Sequence, residues 1–355
     1  LSILLHSVIV DPYVWILGRF ITGFSIISIF VVVESWLNDR ATNRTRGKVL
    51  SIYMIITFVG IGLGVLLLNF NDPTNYEPFI LVSLLLSIAL VPILLTKRKP
   101  PTFKKISSIK IKELYKISPL GTFSMFCVGF IHPAIFTMGA VYGALMNFSV
   151  LEISLYLFLI TLSGAVFQWP IGYLSDRFDR RIILIITALL GSVLTILCFF
   201  SVSASPDFIN LSSNWKSIYQ HITNHRMLFY IFISLYAGMS LPLFSLNLAY
   251  VNDFLPKEKF VSAGAGMQII FGLSAMSAPF LCSFFMKLFG PNGMFIFLFI
   301  FQTLIGLFGI YRMTKRSIEE NPDNTFTPMP RNITPLGMEL DPDAGVDLSN
   351  KENKN

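Results

Sequence analysis

Charged residues are scarce in this 355-residue chain. Asp, Glu, Lys and Arg together make up 13% of it, whereas soluble domains usually carry about 25%. Hydrophobic residues make up 54%. This composition excludes an ordinary soluble domain and indicates that lipid is the solvent, so helices that are apolar on every face are expected.

Metal-binding, disulfide and nucleotide-binding patterns are also missing. Cys127, Cys198 and Cys282 lie far apart, each in an apolar run, which is typical of buried small hydrophobic residues. His221 and His225 stand in a loop without the glutamate of a metalloprotease helix. No phosphate-binding loop or nucleophile elbow occurs. We therefore expect no metal, no cofactor and no enzymatic activity.

Long hydrophobic runs are what the sequence has instead. Nine are long enough to cross about 30 Å of hydrocarbon at about 1.5 Å per residue. A further apolar stretch, residues 1–10, is too short to span and lacks the features of a signal peptide. We expect it to be the end of a helix whose beginning is missing. The predicted spans cover residues 13–37, 47–70, 78–96, 118–146, 150–175, 181–203, 227–252, 261–288 and 293–312.

The basic residues are distributed unevenly between alternate connections. One set of connections holds 23 of the 27 Lys and Arg residues and the other set holds 3. By the positive-inside rule the first set, and with it the C-terminus, is predicted to be cytoplasmic. Because topology explains the net charge of +7, no nucleic acid partner is expected. The basic set comprises residues 38–48, 97–116, 176–181, 252–259 and the chain from 312 onward.

The connections divide the chain into four parts. Residues 1–96 would form a partial N-terminal half, residues 97–117 a basic cytoplasmic linker, and residues 118–316 a C-terminal half of six helices. Two halves of six helices would leave this chain without helices 1 and 2 and part of helix 3. Residues 317–355 are rich in Asn, Pro, Asp and Glu, and we predict a disordered cytoplasmic tail because they can bury little apolar surface.

An internal repeat supports this division. Asn38-Asp39 ends one predicted span and Asn252-Asp253 ends another, at equivalent places in the two halves. Gly23 and Gly238 precede the two pairs at nearly the same distance. Internal repeats of this kind are typical of secondary transporters.

The most specific motif is QWPIGYLSDRFDRR at residues 168–181, on a tight turn between two spans. It resembles the G-x-L-x-D-R-x-x-R-R signature of the major facilitator superfamily. Gly172 would allow close helix approach, and Asp176 can face a helix N-terminus. Arg177 and Arg180 can pair with acids such as Asp253. The alternative, an ordinary basic turn, leaves the glycine and the aspartate unexplained.

Further segments extend the resemblance from residue 1 to about residue 315. ESWLNDRATNRTRGKVLS, QWPIGYLSDRFDRR and AYVNDFLPKEKFVSAGAG are similar to the YcaD-type branch of bacterial facilitators. The resemblance implies an all-α polytopic membrane protein with the major facilitator fold, its N-terminal six-helix half incomplete and its C-terminal half complete. It also implies a monomer in the bacterial inner (plasma) membrane. Its partners would be a small-molecule substrate and the surrounding membrane lipids.

Polar side chains inside spans are the candidate site residues, because they are costly in lipid. Arg19 could serve proton coupling or structural pairing. His132 could titrate near neutral pH or be a hydrogen-bonded packing residue. The candidates for the substrate or proton pathway are Arg19, His132, Gln168, Asn247 and Gln268.

Glu34 lies near the predicted cytoplasmic end of its span. We expect it to form a gate salt bridge with Arg40, Arg44 or Arg46. The predicted cytoplasmic gate comprises Glu34, Asp39, Arg46, Gly172, Asp176, Arg177, Arg180 and Asp253.

Three functions remain open at this point. The leading hypothesis is secondary active transport of a small solute by alternating access, coupled to an ion gradient. The alternative is a non-transporting membrane sensor or scaffold on the same fold. A membrane-embedded transferase is third, since no external loop offers clustered acids or histidines.

Overall fold

The structure, a computed structural model, describes residues 2–42, 45–72, 75–95, 109–203, 215–315 and 325–344. Within these ranges the chain is helical and contains no strand. The helices are α1 (Ser2–Val8), α2 (Pro12–Arg40), α3 (Arg46–Leu66), α4 (Glu77–Leu94), α5 (Ile111–Ile117), α6 (Pro119–Pro133), α7 (Gly139–Leu145), α8 (Val150–Arg177), α9 (Arg180–Ser203), α10 (Trp215–Ser240), α11 (Leu243–Asn252), α12 (Phe260–Phe289), α13 (Gly293–Met313) and the single turn α14 (Pro335–Met338).

Eight helical stretches of the described chain are long and apolar enough to cross a membrane. They correspond to eight of the nine predicted spans, and α6 with α7 and α10 with α11 each form one of them. The ninth prediction, residues 78–96, falls on α4, which is apolar but shorter. The all-α polytopic fold class is thus confirmed.

The helices α6 to α13 pack as one bundle, in which α9 lies against α10 and α13, and α6 lies against α12. The α3 helix joins this bundle by packing along α8. The α1, α2 and α4 helices pack together, and much of the apolar surface of α2 and α4 is exposed. Exposed apolar surface of this extent is expected of side chains that face lipid.

Two of the spans are broken near their middles. The α6 helix ends at Pro133 and continues through a π-helical turn, Ala134–Met138, into α7. The α10 helix breaks at Leu241–Pro242 before α11. Proline cannot donate a backbone hydrogen bond, so each break follows from its sequence. The breaks meet in space, because His132 Nε2 lies 3.1 Å from the Ser240 carbonyl oxygen.

The motif turn is very short in the structure. The α8 helix begins with a capping box, in which Ser149 and Glu152 exchange hydrogen bonds, and runs unbroken to Arg177. The α9 helix begins at Arg180, so only Phe178 and Asp179 separate the two spans. We call the end of the bundle that carries this turn, together with residues 41–42, 45–46 and 252–259, the basic end.

Part of the predicted linker is ordered. Residues 96–108 lie outside the described chain, but α5 covers residues 111–117. Leu114 of α5 is fully buried, and the Ile109 N–H donates to the Ser262 carbonyl at 3.1 Å. The end of the linker is therefore a short helix fixed against α12.

The prediction of a disordered tail is wrong for residues 325–344. This stretch, which we call the C-terminal segment, packs between the helices with Met329, Ile333, Met338 and Leu340 buried. The prediction counted apolar residues alone and overlooked the polar partners that the helices supply to the segment's backbone. The other residues of the predicted tail, 316–324 and 345–355, lie outside the described chain.

Candidate functional site

The breaks in α6 and α10 open onto a cavity that we call the central cavity. Its walls come from α3, the α6 break, α8 and the α10 break, together with residues 329–332 of the C-terminal segment. The space between them is about 30 Å³, roughly enough for one or two water molecules. The wall residues are Thr57, Phe58, Ile61, His132, Phe136, Thr161, Gln168 and Leu241.

Two of the five predicted pathway residues, His132 and Gln168, line this cavity. His132 is 1% exposed and packs edge-on against Phe271, with Nε2 bonded to the Ser240 carbonyl. Gln168 is 5% exposed, and its Oε1 has no hydrogen-bond partner among the described residues. It lies nine residues before the end of α8, about 14 Å from the basic end. The cavity thus reaches toward the middle of the bundle.

The other three predicted pathway residues differ in burial and in hydrogen-bond partners. Asn247 is fully buried on α11, and neither atom of its amide finds a partner within the described residues. Gln268 on α12 donates from Nε2 to the Arg331 carbonyl at 3.0 Å. Arg19 is exposed on α2 and does not line the central cavity. The structure therefore brings Gln268 to Arg331 of the C-terminal segment and leaves Arg19 away from the cavity.

Arg331 of the C-terminal segment lines the central cavity. Its guanidinium carbon lies 3.6 Å from the centre of the Phe136 ring, a cation–π arrangement. No carboxylate forms a salt bridge with it in the part of the chain that the structure describes. Burial lowers the pKa of Arg331 to about 10, so the side chain remains a cation at neutral pH.

Glu34 has different partners from those expected. Its buried carboxylate accepts hydrogen bonds from the Tyr53 hydroxyl at 2.7 Å, the Thr334 backbone N–H at 2.9 Å and the Gly337 N–H at 3.1 Å. The Thr334 hydroxyl also donates to it. Among the described residues no arginine pairs with Glu34, and Arg44 lies outside them. The expected salt bridge to Arg40 or Arg46 is therefore absent from the described residues, because the C-terminal segment and Tyr53 fill the carboxylate's hydrogen-bonding capacity.

Arg46 and the Asn38-Asp39 pair also lie at the basic end. Asn38 Nδ2 donates to the Leu336 carbonyl and to Glu339 Oε2, each at 2.7 Å. Arg46 donates to the carbonyls of Pro342 and Ala344, the latter at 3.1 Å. Asp39 itself is exposed. Two of the predicted gate residues on α2 and α3, Glu34 and Arg46, are thus bound to the segment.

Arg180 is the centre of the charged cluster at the motif turn. Its buried guanidinium pairs with Asp253 and, at 3.0 Å, with Asp176, and it donates to the Ala249 carbonyl at 3.3 Å. The expected contact between Arg180 and Asp253 is therefore present, and it ties the α8–α9 turn to the end of α11. A gating role for the contact stays a prediction.

The other motif residues make separate contacts. Arg177 is exposed and stacks over the Tyr173 ring at 4.1 Å instead of pairing with an acid. Arg181 forms a two-pronged ion pair with Asp179 at 2.8–3.1 Å. Arg177 therefore contacts an aromatic ring of its own helix.

Gly172 and Asp176 face the C-terminal segment. Asp176 accepts from the Phe326 N–H at 2.7 Å as well as from Arg180, instead of facing a helix N-terminus. A side chain at Gly172 would collide with the Phe326 ring. Gly172 thus allows the close approach of Phe326 of the C-terminal segment.

Several contributors to the site were not predicted. Tyr53, Phe136, Ser245, Thr334 and Arg331 carry no motif, and three of them lie in helices that read as uniformly apolar. One signal was available: Met329, Ile333, Met338 and Leu340 are apolar residues spaced through an otherwise polar stretch. Such spacing would have indicated a segment that docks on a partner surface.

A second, wider cavity lies beside the segment. It measures about 590 Å³ and is bounded by α3, by Gln168 and Trp169 of α8, and by residues 325–328 and 342. Its walls are mainly apolar side chains such as Met54 and Phe58. Gln168 borders both cavities, so only one helix wall separates them there.

Comparison with known proteins agrees with this architecture. The family model of the Major Facilitator Superfamily matches residues 1–219. Relatives named "Uncharacterized MFS-type transporter YcaD" include one from Escherichia fergusonii, 30% identical over 186 residues, which cover 50% of this chain and 48% of the relative. Another, from Escherichia coli O6:K15:H31, is 28% identical over 184 residues, with the same coverage. No solved structure matches significantly.

The matched relatives are longer than the matching region. The chain spans about half the length of the curated relatives it matches. The family model nevertheless covers more than half of the chain, and the helical spans and the motif turn fit it. The chain is an integral membrane protein that belongs to the major facilitator superfamily.

Proposed function

We propose that this protein is a secondary active transporter that moves a small solute across the membrane by alternating access, driven by an ion gradient. The observation that carries the proposal is the central cavity, which lies between α3 and the α6–α13 bundle and has the buried polar residues His132 and Gln168 on its walls. A polar group inside a membrane protein is costly unless a ligand, water or protein partner satisfies it.

The charged contacts at the basic end support a closing role. Arg180 ties the α8–α9 turn to Asp253 at the end of α11, and Asp176 joins the same cluster. Alternating access requires contacts at one end that can break as a unit while the helices stay intact. A compact cluster of one arginine and two aspartates fits that requirement.

The arrangement in the membrane follows from the loop charges. We place the basic end in the cytoplasm of a bacterial cell, with the C-terminus on the same side and the protein in the inner membrane as a monomer. The working division into a partial N-terminal half, residues 1–96, and a C-terminal half, residues 118–316, belongs to this proposal. The two halves would rock about the central cavity.

A non-transporting sensor or scaffold is the competing function. A scaffold does not need polar side chains such as Asn247 buried without a partner inside its bundle, and this favours transport. A transferase is set aside because members of the superfamily are transporters and not enzymes.

The test is uptake in cells that express the chain. A mixture of isotope-labelled sugars, amino acids, nucleosides and organic cations would be supplied with and without a proton uncoupler. We expect at least one solute to accumulate or be depleted, and Asp176→Asn to reduce that movement with little change in expression. Good expression of the chain without movement of any solute would contradict the proposal. Unchanged solute movement in Asp176→Asn would contradict the role of the cluster.

A further inference from the structure

The C-terminal segment enters and leaves the bundle at the same end. Its first residues lie at the basic end, where the Phe326 N–H bonds to Asp176. Its last residues return there, where Arg46 binds the Pro342 and Ala344 carbonyls and Lys257 lies 4.0 Å from Asp343. Between these points the chain reaches the central cavity at Arg331. The segment is therefore a re-entrant loop with two legs and a buried tip.

The two legs are bonded to each other. Asp343 Oδ2 accepts from the backbone N–H of Thr325 at 2.8 Å and from its hydroxyl at 2.6 Å. The Thr327 hydroxyl donates to Asp341 at 2.9 Å. Two cross-leg bridges in register indicate a defined loop conformation that carries its own hydrogen bonds into the bundle.

Both sides of the central cavity bind the loop. On the side of α2 and α3, Glu34, Asn38 and Arg46 bond to it. On the side of the α6–α13 bundle, Ser245 exchanges hydrogen bonds with both backbone groups of Met329, at 2.9 and 3.0 Å, and Gln268 donates to Arg331. The loop therefore cross-links the parts that alternating access would have to separate.

The tip occupies the place where a ligand of the cavity would sit. Residues 329–332 line the same small cavity as His132, Phe136 and Gln168. The Arg331 cation stacks on Phe136 while its main-chain carbonyl is held by Gln268. An aromatic face next to amide groups is a suitable surface for a cationic group that carries a peptide-like carbonyl.

We propose that the central cavity is a binding site for an extended peptide segment with a cationic tip, and that residues 325–344 are its tethered ligand. The docked segment holds the cavity closed at the basic end and excludes solute from it. The docking itself stands independently of transport, whereas its inhibitory effect rests on the proposed function.

The first test measures docking in the full chain. Ile333, 1% exposed, would be replaced by cysteine and labelled with a charged maleimide in lipid nanodiscs, with Thr325→Cys on the exposed outer leg as the reference. We expect Ile333→Cys to react slower by about tenfold or more, because labelling requires local opening. Equal rates at the two positions would overturn the proposal.

A releasing variant provides the second measurement. Met338→Asp places a charge at a buried position against α12, and Met313→Asp places the same charge at an exposed position at the end of α13 as the matched control. We expect Met338→Asp to bind an added fluorescent peptide of sequence 325–344 saturably, and both the parent and Met313→Asp to bind it at least about tenfold more weakly. Failure of Met338→Asp to bind the peptide would overturn the assignment of the cavity as its site.

The uptake assay separates this inference from the proposed function. Faster solute movement in Met338→Asp than in the parent supports inhibition, and equal movement overturns the inhibitory effect. Slow labelling of Ile333→Cys together with no movement in any variant supports docking and contradicts transport.

Discussion

The carboxylate of Glu34 accepts hydrogen bonds from both the backbone N–H and the hydroxyl of Thr334, which lies 300 residues later in the chain. Tyr53 and the Gly337 N–H complete its contacts. A span residue expected to pair with a neighbouring arginine is thus the anchor of the C-terminal segment.

Removing this anchor should release the segment. Glu34→Ala leaves the Thr334 and Gly337 donors without an acceptor, and unsatisfied buried groups cost about 1–3 kcal/mol each. We expect maleimide labelling of Ile333→Cys to rise by about tenfold or more in this background. Glu77→Ala, a change of the same kind on α4, should leave the labelling rate unaltered. A rate that stays at the parental value in Glu34→Ala would show that this carboxylate does not hold the segment.

Gly172 should be required for docking of the C-terminal segment. The nearest neighbours of a side chain added there all belong to Phe326, so Gly172→Val should displace the segment and leave the bundle folded. Phe326→Ala in the same chain should restore protection of Ile333→Cys by opening space. Gly60→Val is the matched control, because nothing lies within 4 Å of a Cβ added at Gly60. Loss of folded protein in Gly172→Val that Phe326→Ala does not rescue would instead indicate a helix–helix contact.

The ion pair of Arg180 and Asp253 should stabilise the folded bundle. The two side chains are 7% and 14% exposed, and breaking a buried pair by removing one partner costs about 3–5 kcal/mol. Arg180→Ala and Asp253→Ala should therefore each lower the free energy of unfolding in mixed micelles. In the double variant the losses should not add, with a coupling of about 0.5–3 kcal/mol. Arg177→Ala, which changes the exposed arginine of the same turn, should change the free energy of unfolding by about 0.5 kcal/mol or less. Strictly additive losses in the Arg180→Ala, Asp253→Ala double variant would exclude direct coupling between the two side chains.

Segment docking should weaken as pH rises. Burial, followed by the charge of Asp343, raises the pKa of Asp341 to about 6, against the opposing effects of the Asp343 N–H, the Thr327 hydroxyl and Arg46. Asp341 in the docked segment therefore keeps its proton up to about pH 6, whereas in the released segment it loses the proton near pH 3.8. The stabilisation of the docked state by this proton disappears as pH rises through about 6. Docking should be about tenfold weaker at pH 7.5 than at pH 5.

The measurement is the labelling rate of Ile333→Cys divided by that of Thr325→Cys, since the ratio cancels the titration of the thiol itself. Asp341→Asn removes the titrating group and should flatten the pH dependence of the ratio. The other charged side chains that face this carboxylate pair are Lys257, 4.0 Å from Asp343, and Arg46. A steep pH dependence that persists in Asp341→Asn would assign the effect to another group.

The bundle was predictable because its signals are local. Hydrophobic runs and loop charges located the spans, and the GYLSDRFDRR turn indicated the family before any contact was known. The Arg180–Asp253 pair followed from the motif and from the repeat around the two Asn-Asp pairs. The ninth predicted span, residues 78–96, corresponds to α4, Glu77–Leu94.

The C-terminal segment was not predictable by the same means. Its stability comes from long-range hydrogen bonds of backbone groups to Glu34, Asn38 and Ser245, and no local pattern encodes such contacts. The position of Arg19 was not predictable for a related reason: a charge within a span shows that a partner or a polar surface is needed, but not which face of α2 it occupies. Its role in a pathway stays a prediction.

The distance in sequence between Glu34 and Thr334 bears on biosynthesis. At about 5–20 residues per second, the ribosome makes Thr334 some 15 to 60 seconds after Glu34. During that interval α2 is already present while the main partner of its acidic residue does not yet exist. The nascent protein must shield this carboxylate by water, by protonation or by the insertion machinery until residues 334–337 have been made. Synthesis of the C-terminal segment, and not insertion of α13, is then the event that completes the contacts of Glu34.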